Sequence, residues 1–336
     1  MIHASRRRAY IVWALLAVAL AVAAIVCPLL GSTRLDLWKV FAADGGADAQ
    51  IFFTARLPRV LFAMVAGAGL ALAGAVYQAL LRNDLADPYT LGVSGGASFG
   101  ALLVLHLVPA GMLLVALPLA SFAGAGSAVA IVYTLSAMRQ RRVDPAKLLL
   151  AGITLNLLFS SGILLIQYLS DPYQTFSMIR WMMGGVDVSA VRIPAVVAAF
   201  VAPCAVIILL QAKRMNLLTL GDMTAAHLGV DVARTKGLLL AAASLMAAAI
   251  VAYAGPIGFV GLLVPHIARR LVGADHRLLL VPSALTGALL LLVCDTVARS
   301  LPPLIPRMPG SEIPVGIVTA FLGAPFFLVL LLRRRG

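Results

Sequence analysis

Polar residues fall in short clusters along the chain, and ten long apolar runs stand between them. The runs are Tyr10–Gly31, Val60–Leu81, Leu91–Val108, Met112–Met138, Leu148–Ser170, Ile193–Leu210, Gly237–Ala254, Ile257–Ala268, Leu278–Val293 and Ile313–Leu332. A helix that crosses a bilayer needs about 20 apolar residues. Most runs meet that length; Leu91–Val108 is short and Ile257–Ala268 is shorter still. The pattern predicts an all-α polytopic membrane protein of about ten transmembrane helices, a single domain over residues 1–336. The first run follows Arg6, Arg7 and Arg8. It exceeds the roughly 7–15 apolar residues of a signal peptide and reads as a retained helix.

Charge decides whether the stretch from Gly237 to Ala268 crosses once or twice. Gly255-Pro256-Ile257-Gly258 interrupts it, and Pro with Gly breaks a helix. Basic residues collect on the cytoplasmic side. With ten crossings and both termini cytoplasmic, 18 of the 26 basic residues lie inside: Arg6–Arg8, Arg82, Arg139, Arg141, Arg142, Lys147, Lys213, Arg214, Arg234, Lys236, Arg269, Arg270, Arg277 and Arg333–Arg335. With nine crossings the split falls to 14 against 12. Ten crossings therefore fits better.

Composition narrows the function classes. The chain is 62% hydrophobic and 12% charged, against about a quarter charged in soluble domains, with a mean hydropathy of +1.02. This excludes a cytosolic enzyme, a disordered chain and a disulfide scaffold. The net charge of +13 belongs to membrane topology and lipid contact, and no nucleic-acid partner is expected. No P-loop sequence and no catalytic Ser/His/Asp or H-E-x-x-H set is present, so the chain holds no ATP by that motif and is not expected to be an enzyme. A pore, a secondary transporter and the membrane half of an ATP-driven transporter remain.

Individual residues add detail. Cys27, Cys204 and Cys294 lie within apolar runs without C-x-x-C spacing and read as buried packing residues. His3, His106, His227, His266 and His276 are scattered, and no metal or other cofactor is expected. Gly92, Gly96 and Gly100, like Ala63, Gly67 and Ala71, recur at every fourth position; small residues so spaced let helix backbones approach closely. Asp295 is the one carboxylate well inside an apolar run, with Arg299 four residues on. An ion pair near the membrane surface is the favoured reading over a proton relay. Thr154, Asn156, Ser160, Ser161 and Gln167 make Leu148–Ser170 more polar than its neighbours. Such residues usually face a bundle interior, which makes this helix the leading candidate to line a pathway.

Three stretches carry a resemblance. One runs from Arg56-Leu57-Pro58-Arg59 through Gly74 and Gln78 to Arg82-Asn83-Asp84-Leu85-Ala86-Asp87-Pro88 and Leu91-Gly92-Val93-Ser94-Gly95-Gly96-Ala97. Another is Gly221-Asp222-Met223-Thr224-Ala225-Ala226-His227-Leu228-Gly229-Val230. The third is Gly255-Pro256-Ile257-Gly258-Phe259-Val260-Gly261-Leu262-Leu263-Val264-Pro265-His266, followed by Asp295 to Arg299 and by Ile313-Pro314-Val315-Gly316. Over nearly its whole length the chain resembles the FecCD-type permeases, membrane subunits of type II ABC importers for iron–siderophore, haem and cobalamin.

The resemblance implies a ten-helix subunit of the bacterial inner membrane, paired with a second copy, most simply as a homodimer. Two P-loop ATPase subunits, which hold ATP and Mg, would dock inside. A periplasmic or lipid-anchored substrate-binding protein would dock outside. By the same resemblance Leu220, Gly221, Asp222, Ala225, Leu228 and Gly229 belong to ATPase-coupling helices within the connection 211–236; from the residues alone this is an amphipathic loop helix. Arg56, Arg59 and Arg299 correspond to arginines that receive the binding protein's acids, although each alone also suits helix-end anchoring. Asn83 and Leu85, with Asp144 and Pro145, correspond to a cytoplasmic gate. Asp84 stands where the family usually has proline, which implies a less rigid turn. Thr154, Asn156, Ser160 and Gln167 fall on the path-lining helix. Trp181-Met182-Met183-Gly184 matches a W-x-x-G region, its methionines read as packing residues. The expected cargo is an iron chelate, siderophore or haem. Cobalamin is the alternative, and an ATP-independent transporter or channel the more distant one.

Overall fold

A computed structural model describes residues 2–31, 33, 35–40, 46–137, 145–188, 190–302 and 312–333. Among them the helices are α1 (Ile2–Val26), α2 (Leu37–Val40), α3 (Ala47–Gln50), α4 (Leu57–Leu81), α5 (Val93–Leu107), α6 (Leu113–Ala137), α7 (Pro145–Leu169), α8 (Pro172–Met182), α9 (Arg192–Leu210), α10 (Ala212–Thr219), α11 (Asp222–His227), α12 (Val232–Ala254), α13 (Val260–Val272), α14 (His276–Ser300) and α15 (Val315–Arg333). Each of the ten apolar runs contains one of these helices or most of it. Among the described residues seven helices are long and apolar enough to cross a membrane; α5 and α13 are shorter. The ends of the bundle are called outer and inner after the orientation that the charges predict.

The central element is α4, buried along nearly its whole length. A π-helical turn, Ile51–Arg56, joins it to α3. It packs against α14, α12, α13 and α9. Small residues make that possible. A Cβ on Gly67 would overlap the Gly287 carbonyl of α14, and one on Gly74 would overlap the Gly261 carbonyl of α13. Gly96 and Gly100 meet α6 at Gly124 and Ala120 in the same way. Gly92 does not share that face. It precedes α5 as its N-cap, in the left-handed region at φ +80°, because the chain must turn there before it can become helical.

The broken helix is a true crossing. α12 ends at Ala254 and α13 begins at Val260. Gly185 N–H donates to the Ala254 carbonyl (2.7 Å), and Gly316 N–H donates to the Gly184 carbonyl (3.2 Å). These bonds gather the ends of α8, α12 and α15 at the outer end. Arg269, late in α13, reaches Asp84 at the inner end. Thirteen helical residues span only about 20 Å, so the irregular stretch 255–259 supplies the remaining depth. Irregular backbone at such depth needs protein partners. Pro265 removes the N–H that would serve the Gly261 carbonyl, and Gln78 Nε2 of α4 donates to that carbonyl (3.4 Å) and to Leu262's (3.1 Å).

Candidate functional site

At the inner end, α10 and α11 lie between α9 and α12, and residues 232–236 of the expected connection form the first turns of α12. Gly221 stands between the two short helices at φ +118°, and Gly229 follows α11 at φ +83°. Both positions favour glycine because residues with a Cβ rarely adopt a positive φ. Ala225 is buried under α11, whereas Leu220, Met223 and Leu228 are about 60% exposed. Asp222, between Leu220 and Met223 in the chain, is the first residue of α11. Its Oδ2 accepts from Lys236 Nζ of α12 at 2.6 Å, and its Oδ1 accepts from Arg82 Nη2. Arg82 Nε donates to the Leu218 carbonyl of α10 (3.2 Å). Asn216 of α10 bonds Asp275 and His276 at the start of α14.

The turn after α4 is tightly bonded. Asn83 Oδ1 accepts from Leu85 N–H (3.0 Å), and Leu85 is exposed. Asp84, at the family's proline position, accepts from Arg269 Nη1 of α13 (2.8 Å). The turn is thus tied across the bundle by an ion pair, in place of the rigidity proline would give. Asp87 Oδ1 accepts from Thr90 N–H (2.9 Å). Burial pushes the Asp87 carboxyl up to about 6, against the opposing effect of the hydrogen bonds from Thr90 and Tyr89. Of the second proposed gate element, Asp144 lies outside the described residues, and Pro145 is the first residue of α7.

The polar residues of α7 do not share one surface. Thr154 and Ser160 are exposed, and Thr154 bonds the Leu150 carbonyl of its own helix. Asn156 is half-buried and donates to the Tyr89 carbonyl, fastening the turn before α5 to α7. Gln167 is half-buried near the outer end and reaches Met182 Sδ at 3.7 Å.

At the outer end Arg56, Arg59 and Arg299 are each less than 10% exposed. They have internal partners. Arg56 donates to the carbonyls of Pro28, Leu29 and Thr33, clamping the end of α1. Arg59 Nε and Nη2 lie 2.8 Å from Asp295 Oδ1, and Nη1 faces Asp187 (3.2 Å) and Glu312. Arg299 Nε lies 3.1 Å from Asp295 Oδ2, and its Nη2 donates to the Cys27 carbonyl (3.2 Å). The expected surface pair of Asp295 with Arg299 is corrected: Asp295 is wholly buried and serves two arginines at once. A cleft of about 140 Å³, lined by all three arginines with Asp187, Glu312 and Thr33, gives access from the outer end.

Spacing in the sequence did not reveal Arg82, Lys236, Asp187, Glu312 or Arg269. One usable signal existed. Glu312 is the only glutamate in the chain, and the predicted topology puts it on the same side as Arg56, Arg59 and Arg299. The three cysteines are buried and free. Among the described residues no group of His, Cys, Asp or Glu has the arrangement of a metal site.

The model of the FecCD transport family matches residues 15–333. The hemin transport system permease of Yersinia pestis is 41% identical over 302 residues, covering 89% of this chain and 87% of its own. The cobalamin import system permease of Halobacterium salinarum is 42% identical over 287 residues, covering 84% and 73%. The Fe(3+) dicitrate permease of Escherichia coli is 39% identical over 307 residues, covering 89% and 91%. A solved inward-facing ABC transporter, described as of metal-chelate type, superposes with a TM-score of 0.84 at 35% identity, covering 96% of this chain and 98% of its own. With the family model matching residues 15–333 and relatives near 40% identical over most of the chain, the chain belongs to the FecCD transport family, the permease subunits of ABC importers.

Proposed function

We propose that two copies of this chain form the membrane path of an importer for an iron chelate, a siderophore complex or haem, with both termini cytoplasmic. Two ATPase subunits drive it from inside, and ATP and Mg are held there. The observation that carries this reading is the exposed apolar edge of Leu220, Met223 and Leu228 on the short helices α10 and α11 and their flanks. Exposed apolar groups on a short rigid element mark a docking surface. The asparagine turn at Asn83–Leu85 and the start of α7 at Pro145 act as the inner gate. Thr154 and Ser160, exposed on α7, face the path once a second copy covers this side, with Asn156 and Gln167 holding its walls.

Outside, the binding protein's acids approach Arg56, Arg59 and Arg299 through the outer cleft. Arginine suits this because its planar fork fixes register on a carboxylate. The hemin and dicitrate permeases among the relatives support an iron chelate as cargo. The cobalamin permease, equally similar, supports a corrinoid as the second reading. Uptake assays offering haem, a ferric siderophore and cobalamin in parallel separate the two: transport of cobalamin alone would reject the iron-chelate cargo.

A further inference from the structure

We infer that Arg82 and Lys236 are positioning residues that tether the coupling element to the gate and to the central helix through Asp222. The inference rests on the reading of α10 and α11 as the ATPase-docking element and deepens it.

Three observations meet here. Lys236 is buried, with its side chain 3% exposed, at the inner end of α12. A lysine is almost never fully buried unless paired, and Asp222 Oδ2 lies 2.6 Å from its Nζ. Next, α4 ends on Arg82 in the left-handed conformation, φ +48°. Helices that end this way use glycine by default, so an arginine here implies a use for its side chain. That side chain bonds Leu218 on α10 and Asp222 on α11 together. Finally, Asp222 opens α11, between Leu220 and Met223 of the exposed apolar edge. One carboxylate therefore joins the docking element to α4 on one side and to α12 on the other.

The consequence is mechanical. Movement of α11 displaces Asp222, which pulls Arg82. Arg82 is followed immediately by the gate turn Asn83–Leu85, and it terminates α4, whose other end carries Arg59. Twenty-three residues of helix put Arg59 about 35 Å away. One buried helix thus links the inner ion cluster to the outer one, and no flexible segment of the described chain lies between them.

The test uses the whole complex of this chain, its ATPase and its binding protein in proteoliposomes, with haem, a ferric siderophore and cobalamin as cargo probes. Substrate imported per ATP hydrolysed is the readout, because a purely structural role would lower both together. Arg82→Gln is expected to lower that ratio at least fivefold, and Arg82→Lys to restore it to within twofold. Arg82→Gln combined with Asp222→Asn is expected to lower the ratio further than Arg82→Gln alone, since Asp222→Asn also cuts the tether to Lys236. Lys236→Met adds a second arm if it assembles; Arg82, 39% exposed, decides the matter if it does not. An unchanged ratio in Arg82→Gln would overturn the inference, as would loss of complex assembly in that variant. Failure of the unsubstituted complex to import any probe would instead count against the proposed function.

Discussion

Arg59 Nε lies 2.8 Å from the Oδ1 of Asp295, 236 residues away in the chain, and the carboxylate has no solvent exposure. Arg299 approaches the other oxygen of the same carboxylate at 3.1 Å. Two buried cations thus depend on one buried anion. Removing one partner of such a set leaves uncompensated charge and costs about 3–5 kcal/mol. Asp295→Ala is expected to destabilise the purified protein by about that amount, measured by thermal unfolding in detergent. A loss below about 1 kcal/mol would show that water, and not Asp295, solvates the arginines.

Arg59 has two kinds of partner. Asp295 is buried, whereas Glu312 and Asp187 are 36% and 68% exposed. An incoming carboxylate must displace the exposed pair and not Asp295. Glu312→Gln is therefore expected to tighten binding-protein docking several-fold, and Arg59→Glu to weaken it at least tenfold. Surface plasmon resonance on the permease in nanodiscs reads both. Docking unaltered by either substitution would remove these residues from the interface.

Gln78 serves the carbonyl left without a donor by Pro265. A buried acceptor without a partner costs roughly 1–3 kcal/mol. Part of that is offset in Gln78→Leu, since Gln78 Oε1 is itself buried without a partner. A net loss of about 1 kcal/mol is expected. Equal stability of the two proteins would mean that the α12–α13 break does not need the glutamine.

Asp87 lies in the turn between α4 and α5, outside the membrane-spanning segments. Its carboxyl is pushed up to about 6 by burial, against about 3.9 in an unfolded chain. The folded protein therefore keeps a proton that the unfolded chain releases between about pH 4 and 6. Stability is greatest below that window, falls by up to about 3 kcal/mol as pH rises through it, and then stays level. Asp87→Asn keeps an acceptor for Thr90 N–H and should abolish the fall. Parallel unfolding-temperature curves for the two proteins from pH 4 to 7 would contradict this assignment.

The ten crossings were legible in the sequence because apolar length and the placement of Lys and Arg are local quantities. The break at Gly255–Gly258 was legible for the same reason: Pro and Gly act on their own helix. Burial of the outer arginines was not. Topology places Arg59 at an outer helix end, but nothing local says that Asp295, Asp187 and Glu312, from three distant segments, converge on it. The inner tether was hidden similarly, because Arg82, Asp222 and Lys236 meet only after α4, α11 and α12 have packed. Gly92 was misread as part of a packing stripe, since the fourfold spacing of Gly92, Gly96 and Gly100 continues through the residue at which the helix has not yet begun.

The most direct measurement is ATP-driven uptake into proteoliposomes containing this chain, its cognate ATPase and its binding protein, with haem, a ferric siderophore and cobalamin offered in parallel. Uptake of an iron chelate that requires both ATP and the binding protein is expected. Uptake that proceeds without ATP, or a chain that never associates with an ATPase, would contradict the proposed importer.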